Sequence, residues 1–228
     1  MAGGGHILLK TILYVLARMW FWFKAGLCLC AALAVYVYIF RLYHGSVEKL
    51  KIHPKPANPA ETAVVAARSL KGILYDQSKG RYNNLAGRLG MIVCIDVPRL
   101  AYARAGMDLD ALLRRDYAVH PEYYRKESAG NTPDTPFFFR RVRNLRSYCR
   151  ANGKMLLEGA EPRPGDLVFF GIMHVAMVTE VDGKGYFRLI ENSPDTLWTV
   201  EHGWETWANN SMCRLLEPLP SNPVGDHP

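Results

Sequence analysis

The chain has no acidic residue before Glu48, no Cys-x-x-Cys pair, no internal repeat and no low-complexity tract. Each absence excludes something. Without paired cysteines at zinc spacing a structural zinc site is not expected, and nothing in the pattern calls for a cofactor or a metal. The missing acidic residues make the charge uneven: Lys10, Arg18, Lys24 and Arg41 give residues 1–44 a charge of +4 out of a net +7. Residues 45–228 hold 24 basic and 21 acidic side chains, with no basic stripe. A folded part so near balance argues against nucleic acid as a partner.

Cysteine is scarce as well, with five residues at 28, 30, 94, 149 and 213. Cys28 and Cys30 fall in the apolar N-terminal segment, where a small thiol behaves as a hydrophobe. Cys149 and Cys213 could pair in an oxidising compartment, which would leave Cys94 as the odd thiol.

Apolar side chains make up 49% of the 228 residues, enough for one domain of ordinary size plus an appendage. The appendage is residues 1–44. Ala25 to Phe40 is an uninterrupted apolar run, roughly 24 Å long as a helix against a bilayer core of about 30 Å. Leu42 and Tyr43 extend it if Arg41 snorkels outward. Trp20-Phe21-Trp22-Phe23 with Lys24 reads as an aromatic belt at a membrane interface. A single-span membrane anchor is the expectation. A signal peptide cleaved near Ala32-Leu33-Ala34, or a buried or interfacial helix, are the alternatives. Basic residues flank the span almost evenly, so charge does not orient it. A signal-anchor ahead of a long domain usually exports that domain, which favours the extracytoplasmic side.

Four regions follow: an anchor at 1–44, a Pro-rich linker at 45–58, a folded domain at 59–217 and a flexible tail at 218–228. Pro54, Pro56 and Pro59 suggest a stiff spacer. Asn58-Pro59-Ala60-Glu61 is a helix start, with Asn as cap and Pro at the first position, and Gly72 ends that helix. Residues 75–90 read as loop. Cys94 to Ala103 reads as a helix that must begin near Cys94, because Pro98 is tolerable only in a first turn. Asp108 caps a further short helix. Residues 118–136 read as a long loop and Phe138 to Gly153 as a helix. Then the period changes to two, with strands expected at 167–170, 174–181 and 186–192, the last two joined through Asp182-Gly183-Lys184-Gly185. Helices first and antiparallel strands afterwards is the α+β pattern.

A cysteine hydrolase needs a thiolate, a histidine to share its proton and a third group to orient that histidine. A helix start is the right place for the thiol, since free N–H groups and the helix dipole favour the anion there. His174, opening a strand, can face that helix end. In a tight hairpin closing at 182–185, partners sum to about 366–367, which sets Asn192 or Ser193 opposite His174. Asn192 is therefore expected to orient the imidazole, with Glu191 the nearest alternative but assigned by alternation to the other face. Asp166 reads as turn chemistry, and His120 and His202 as loop histidines.

Pro164-Gly165-Asp166-Leu167-Val168-Phe169-Phe170 followed by His174-Val175-Ala176-Met177-Val178 resembles the signature of the NlpC-type cell-wall cysteine peptidases, of the papain-like superfamily. Tyr75-Asp76, Cys94-x-Asp96-Val97 and Arg143-Asn144-Leu145 are similar to a less characterised branch of that group. The resemblance implies a papain-like fold with helices packed on a small antiparallel sheet. It implies catalysis by Cys94 and His174, an oxyanion tyrosine at Tyr82, twelve residues before Cys94, and a substrate-side role for Asp96. The substrate it implies is an amide bond in peptidoglycan stem peptides or a related molecule. Val93-Cys94-Ile95-Asp96 stands where that family usually has Asp-Cys-Ser-Gly. That departure motivates a second reading, a membrane-tethered papain-like binding module without turnover. A third is acyl transfer by the same Cys-His pair.

Overall fold

The computed structural model describes residues 4–44, 52–78, 90–127, 131–135, 137–205 and 211–216. The chain divides into two compact units, Met1–Tyr43 and His44–Pro228. In the first, helix α1 spans Gly4–His44. Its stretch Tyr14–Ile39 is long and apolar enough to cross a membrane. Trp20, Phe21, Trp22 and Phe23 are each more than half exposed, and the Lys24 ammonium lies 5.2 Å from the Trp20 ring centre. The expected tail at 218–228 lies outside the described residues.

The second unit is α+β, with helices and one small antiparallel sheet. Helix α2 (Pro59–Arg68) starts as its sequence requires. The Asn58 side chain accepts from Glu61 N–H at 3.1 Å and donates to the Glu61 carboxylate at 2.9 Å, closing the first turn. Helix α3 (Asp96–Arg104) has Pro98 as its third residue, where the missing N–H costs no hydrogen bond. Gly106 follows it at φ +81°, and an added Cβ there would lie 2.7 Å from the Lys55 backbone. That close approach corrects the reading of the described part of this segment, 52–58, as a free spacer. From His53, whose N–H bonds the Ala103 carbonyl at 3.0 Å, the Pro-rich segment is docked on the end of α3.

Helix α4 (Leu109–Val119) is capped by Asp108, which accepts from Ala111 N–H at 2.9 Å. The expected long loop at 118–136 contains a further helix, α5 (Pro121–Glu127), entered through Pro121. The helix expected over 138–153 is broken into a 3₁₀ turn (Phe138–Arg140), entered through Phe137 at a left-handed φ of 64°, and α6 (Val142–Ala151), because Arg141 between them is extended. Leu113, Tyr124 and Phe138 form the core of this helical layer.

Strands β1 (Leu167–Phe170), β2 (His174–Val181), β3 (Phe187–Asn192), β4 (Thr199–Glu205) and β5 (Ser211–Cys213) pair antiparallel in the order β4-β3-β2-β1-β5. The last two strands were not expected: Gly203 interrupts one, and the other is only three residues long. Val168, Ala176, Val178, Leu189, Phe187 and Met212 pack as one apolar cluster on the sheet, each removed from water. Burying a side chain of this size contributes roughly 2 kcal/mol.

The Pro-Gly-Asp turn is a structural joint. Gly165 (φ +93°) and Asp166 exchange backbone bonds with Val178, and the Gly165 carbonyl accepts from Tyr102 of α3 at 2.6 Å. The Asp166 carboxylate takes Arg163 N–H and a fork from Arg214. A Cys149–Cys213 disulfide, Cα–Cα 6.1 Å, ties α6 to β5 across 64 residues of chain.

Candidate active site

Cys94 sits in the turn that leads into α3, where Val97 N–H bonds its carbonyl at 3.3 Å and Asp96 N–H bonds Val93 O at 2.9 Å. The thiol is partly exposed, 4.0 Å from the Met173 carbonyl oxygen. The N–H groups of Cys94 and Ile95 bond no acceptor among the described residues. They are donors available to an oxyanion at the sulfur.

His174 comes to this thiol from the start of β2. The imidazole shares the cleft with Cys94, close enough for the thiol to raise its pKa, and its Nε2 bonds the Glu191 carboxylate, which leaves Nδ1 as the nitrogen that can serve the thiol. Burial alone would disfavour the charged imidazole. The influence of Cys94 and of Glu191 outweighs it and holds the ring charged up to about 10. The Phe170 ring lies 5.5 Å from the imidazole and closes one side.

The residue bonded to the imidazole is Glu191, not Asn192. Met177 pairs with Ile190 and Val178 with Leu189, so partners at this end of the hairpin sum to 367. A bulge between Val178 and Glu180 sets that register; nearer the turn the sum is 368. Continued to the start of β2, it puts Ser193 opposite His174 and Glu191 diagonally across on the same face, with Asn192 on the other. Asn192 is fully buried and donates to Ile73 O (3.0 Å) and Thr199 Oγ1 (2.9 Å). It fastens the Ile73 segment to the sheet and is removed from the imidazole.

A second histidine completes the cluster. Glu191 pairs directly with Val200, so His202, two residues along β4, shares its face, and His202 Nε2 meets Glu191 Oε1 at 2.8 Å. Burial raises the carboxyl's affinity for a proton. The bonds from His174 and His202 outweigh burial and hold Glu191 below the usual carboxylate range. Sequence reasoning missed His202 because β4 was missed. The alternation Val200, His202, Trp204 was the available signal.

Asp96 also differs from expectation. It has no exposed surface, so it is not a substrate contact. Its carboxylate accepts from Val93 N–H (3.0 Å), Arg99 Nη1 (2.7 Å) and Arg140 Nε (2.9 Å), with Arg140 Nη2 closing a second bond. Burial would raise its pKa, but Arg140 and Arg99 outweigh that and lower it. Arg99 in turn forks onto Asp110 at 2.8 and 2.6 Å and lies over the Phe139 ring at 4.8 Å. The cluster fixes the turn that carries Cys94. Tyr82 lies outside the described residues.

Tyr75 stands beside the thiol instead. A parallel bridge to Ile92 brings it to the Cys94 turn, and its N–H bonds Leu197 O at 2.8 Å. Burial, then the nearby Cys94 charge, raises its hydroxyl pKa, so it remains a protonated donor. Cys94, His174, Glu191, His202 and Tyr75 all line one cleft of about 820 Å³, a volume suited to a short peptide. Ile172 and Met173 form an apolar wall, and Arg141 and Arg143 line it from the start of α6. Among the described residues, no three His, Cys, Asp or Glu side chains converge as a metal-ligand set.

Residues 74–200 match the family described as a domain of unknown function, DUF1287. The match covers more than half of the chain, and the chain belongs to that family. No curated protein and no solved structure gives a significant match. Tyr75, Cys94, His174 and Glu191 fall inside the matched residues, and His202 lies just beyond them.

Proposed function

We propose that the His44–Pro228 unit is a papain-like cysteine hydrolase of the NlpC type, cleaving amide bonds, held at a membrane by α1. One observation carries this reading: a thiol at the entrance to a helix shares an open cleft with an imidazole whose Nε2 is held by a carboxylate. In the mechanism, the Cys94 thiolate attacks the amide carbonyl carbon. The Cys94 and Ile95 N–H groups and the Tyr75 hydroxyl meet the developing oxyanion. The C–N bond breaks as the His174 imidazolium gives its proton to the departing amine, leaving a thioester. Water, losing a proton to His174, hydrolyses the thioester and releases the acid. Glu191 keeps the ring oriented and stabilises its charged form.

The resemblance of the Pro164–Phe170 and His174 motifs favours a peptidoglycan stem peptide or related amide as substrate. The Cys149–Cys213 disulfide favours the oxidising, extracytoplasmic side of the membrane. Full-length protein in detergent micelles is incubated with a muropeptide mixture and the products are read by mass spectrometry. Cys94→Ala and His174→Ala are expected to lose at least ~10³-fold in turnover with melting temperature nearly unchanged. A Cys94→Ala protein cleaving at the wild-type rate overturns the mechanism. A Cys94 thiol that iodoacetamide does not alkylate at neutral pH favours the binding-module reading instead.

A further inference from the structure

Glu191 has a histidine on each side, and the chemistry of amide cleavage uses only one of them. The side chain reaches His174 from β3, and the torsion that turns a glutamate's carboxylate is broad, so one hydrogen bond does not fix its plane. Here both oxygens are taken. Oε2 meets His174 Nε2, and Oε1 meets His202 Nε2 at 2.8 Å. The two imidazoles differ in their access to water, the His174 side chain being 23% exposed and that of His202 36%. His202 Nδ1 has no partner among the described residues, so the outer ring is free to exchange its proton with solvent. Of the charged groups packed beside it, Arg188 of β3 bonds its backbone carbonyl at 3.3 Å, not its ring. Glu201, next along β4, is held by Arg68 and Lys71. Tyr75, Arg140, Arg141, Arg143 and Asp195 line the same cleft. Among the described residues, Glu191 is the group that the His202 ring bonds.

We infer that His202 is a positioning residue, which fixes the Glu191 carboxylate on His174 while it is neutral and loosens that hold when it takes a proton. The inference rests on the hydrolase reading for its effect on turnover, but the coupling of the two rings through Glu191 needs no substrate. A neutral His202 donates Nε2–H to Oε1 and leaves the carboxylate's charge to the inner imidazolium. A protonated His202 sets a second cation on the same carboxylate. The two imidazolium rings then repel, and His174 gives up its proton more readily. The Cys94 thiolate loses part of its cationic partner, and turnover falls as the medium is acidified. Histidine is the side chain suited to this work, and the more exposed ring is the one that responds to the medium.

Full-length protein in neutral detergent, isotope-labelled at its histidine ring nitrogens, is titrated between about pH 5 and 9 and followed by NMR. In parallel, kcat and KM are measured on a purified disaccharide-tetrapeptide muropeptide across the same range. His202→Gln keeps an N–H donor for Oε1 but carries no titrating proton, and His202→Ala keeps neither. In the wild type the His174 nitrogens should show a step as His202 titrates, and that step should be absent from His202→Gln. At about pH 8 the kcat of His202→Gln should stay within ~2-fold of wild type, while His202→Ala should lose ~10-fold in kcat with KM little changed. On the acid side His202→Gln should show one ionisation fewer than wild type. Matched melting temperatures show each variant folded, and the glutamine variant decides alone if the alanine one does not fold. His174 signals indifferent to His202→Gln, an acid limb of His202→Gln identical to that of wild type, or a folded His202→Ala with wild-type kcat each overturn the inference. Ring coupling in a wild-type protein that does not cleave the muropeptide removes the hydrolase and leaves the coupling. Cleavage without coupling does the reverse.

Discussion

Two carboxylates flank Cys94, and the molecule treats them oppositely. Asp96, beneath the thiol, is sealed from water between Arg99 and Arg140. Glu191, in the cleft wall, is partly open to solvent between His174 and His202. Arginine stays charged at every accessible pH, so the Asp96 cluster is permanent architecture. An imidazolium, unlike a guanidinium, can give up its proton to a departing group and take it back, so the Glu191 cluster can pass one. A cysteine site needs both: a turn that does not move and a base that changes state.

The contrast breaks most visibly at Asp96. Asp96→Ala would take a buried carboxylate partner from Arg99 and Arg140, leaving Arg99 with Asp110, and the acceptor from Val93 N–H. Loss of one partner from a buried ion pair costs about 3–5 kcal/mol. Thermal and denaturant unfolding of the full chain should show a loss of that size. A variant as stable as wild type would show that the cluster is not what fixes the turn. Next in size is Glu191→Gln, which keeps shape but removes the charge. Turnover should fall about 10²-fold with little change in stability. Asn192→Ala should do the reverse, costing about 1–2 kcal/mol for its two buried hydrogen bonds while leaving kcat near wild type. If Asn192→Ala proved the more damaging to kcat, the orienting role would return to it.

The third effect is a pH dependence. His174 must be protonated to release the amine, so kcat/KM should fall about tenfold per unit as pH rises above about 10. Stability follows with the same sign. The His174 contribution is complete below its ordinary value of 6.5 and is lost as pH rises through about 10. Glu191 acts at the other end: its contribution is present above 4.5 and is lost as pH falls through its depressed value. A basic limb near 6.5 would mean that the ring is not held in its charged form by Cys94 and Glu191.

Local signals in the sequence located the thiol turn, the Asn58 and Asp108 caps and the strands of the β2–β3 hairpin, because Pro98, the capping side chains and strict alternation each have one short-range cause. The choice between Glu191 and Asn192 was not local. It turned on a one-residue bulge at Val178–Glu180 that no residue type announces, and a single step of register exchanges the two faces of a strand. His202 was hidden for the related reason that β4 is interrupted by Gly203. Asp96 was misread as a substrate contact because its partner Arg140 lies 44 residues away, and only the fold brings that charge beneath the turn.

The smallest expected effect concerns a third fixed element, made of backbone rather than charge. Leu197 holds a left-handed φ of 64° with half its side chain exposed, and its carbonyl is what Tyr75 N–H bonds beside the thiol. Left-handed backbone costs a residue with a Cβ about 1–2 kcal/mol, part of which glycine gives back through its larger unfolded-state entropy. Leu197→Gly should therefore raise stability by less than ~1 kcal/mol, while Leu197→Val, β-branched, should lower it by about 1–2 kcal/mol. Thermal melts of both variants decide the sign. The turnover of Leu197→Gly decides the rest: kcat kept at the wild-type level would mean that Tyr75 is placed by the bridge to Ile92 alone. A several-fold fall would mean that the strained carbonyl helps to hold it at the thiol.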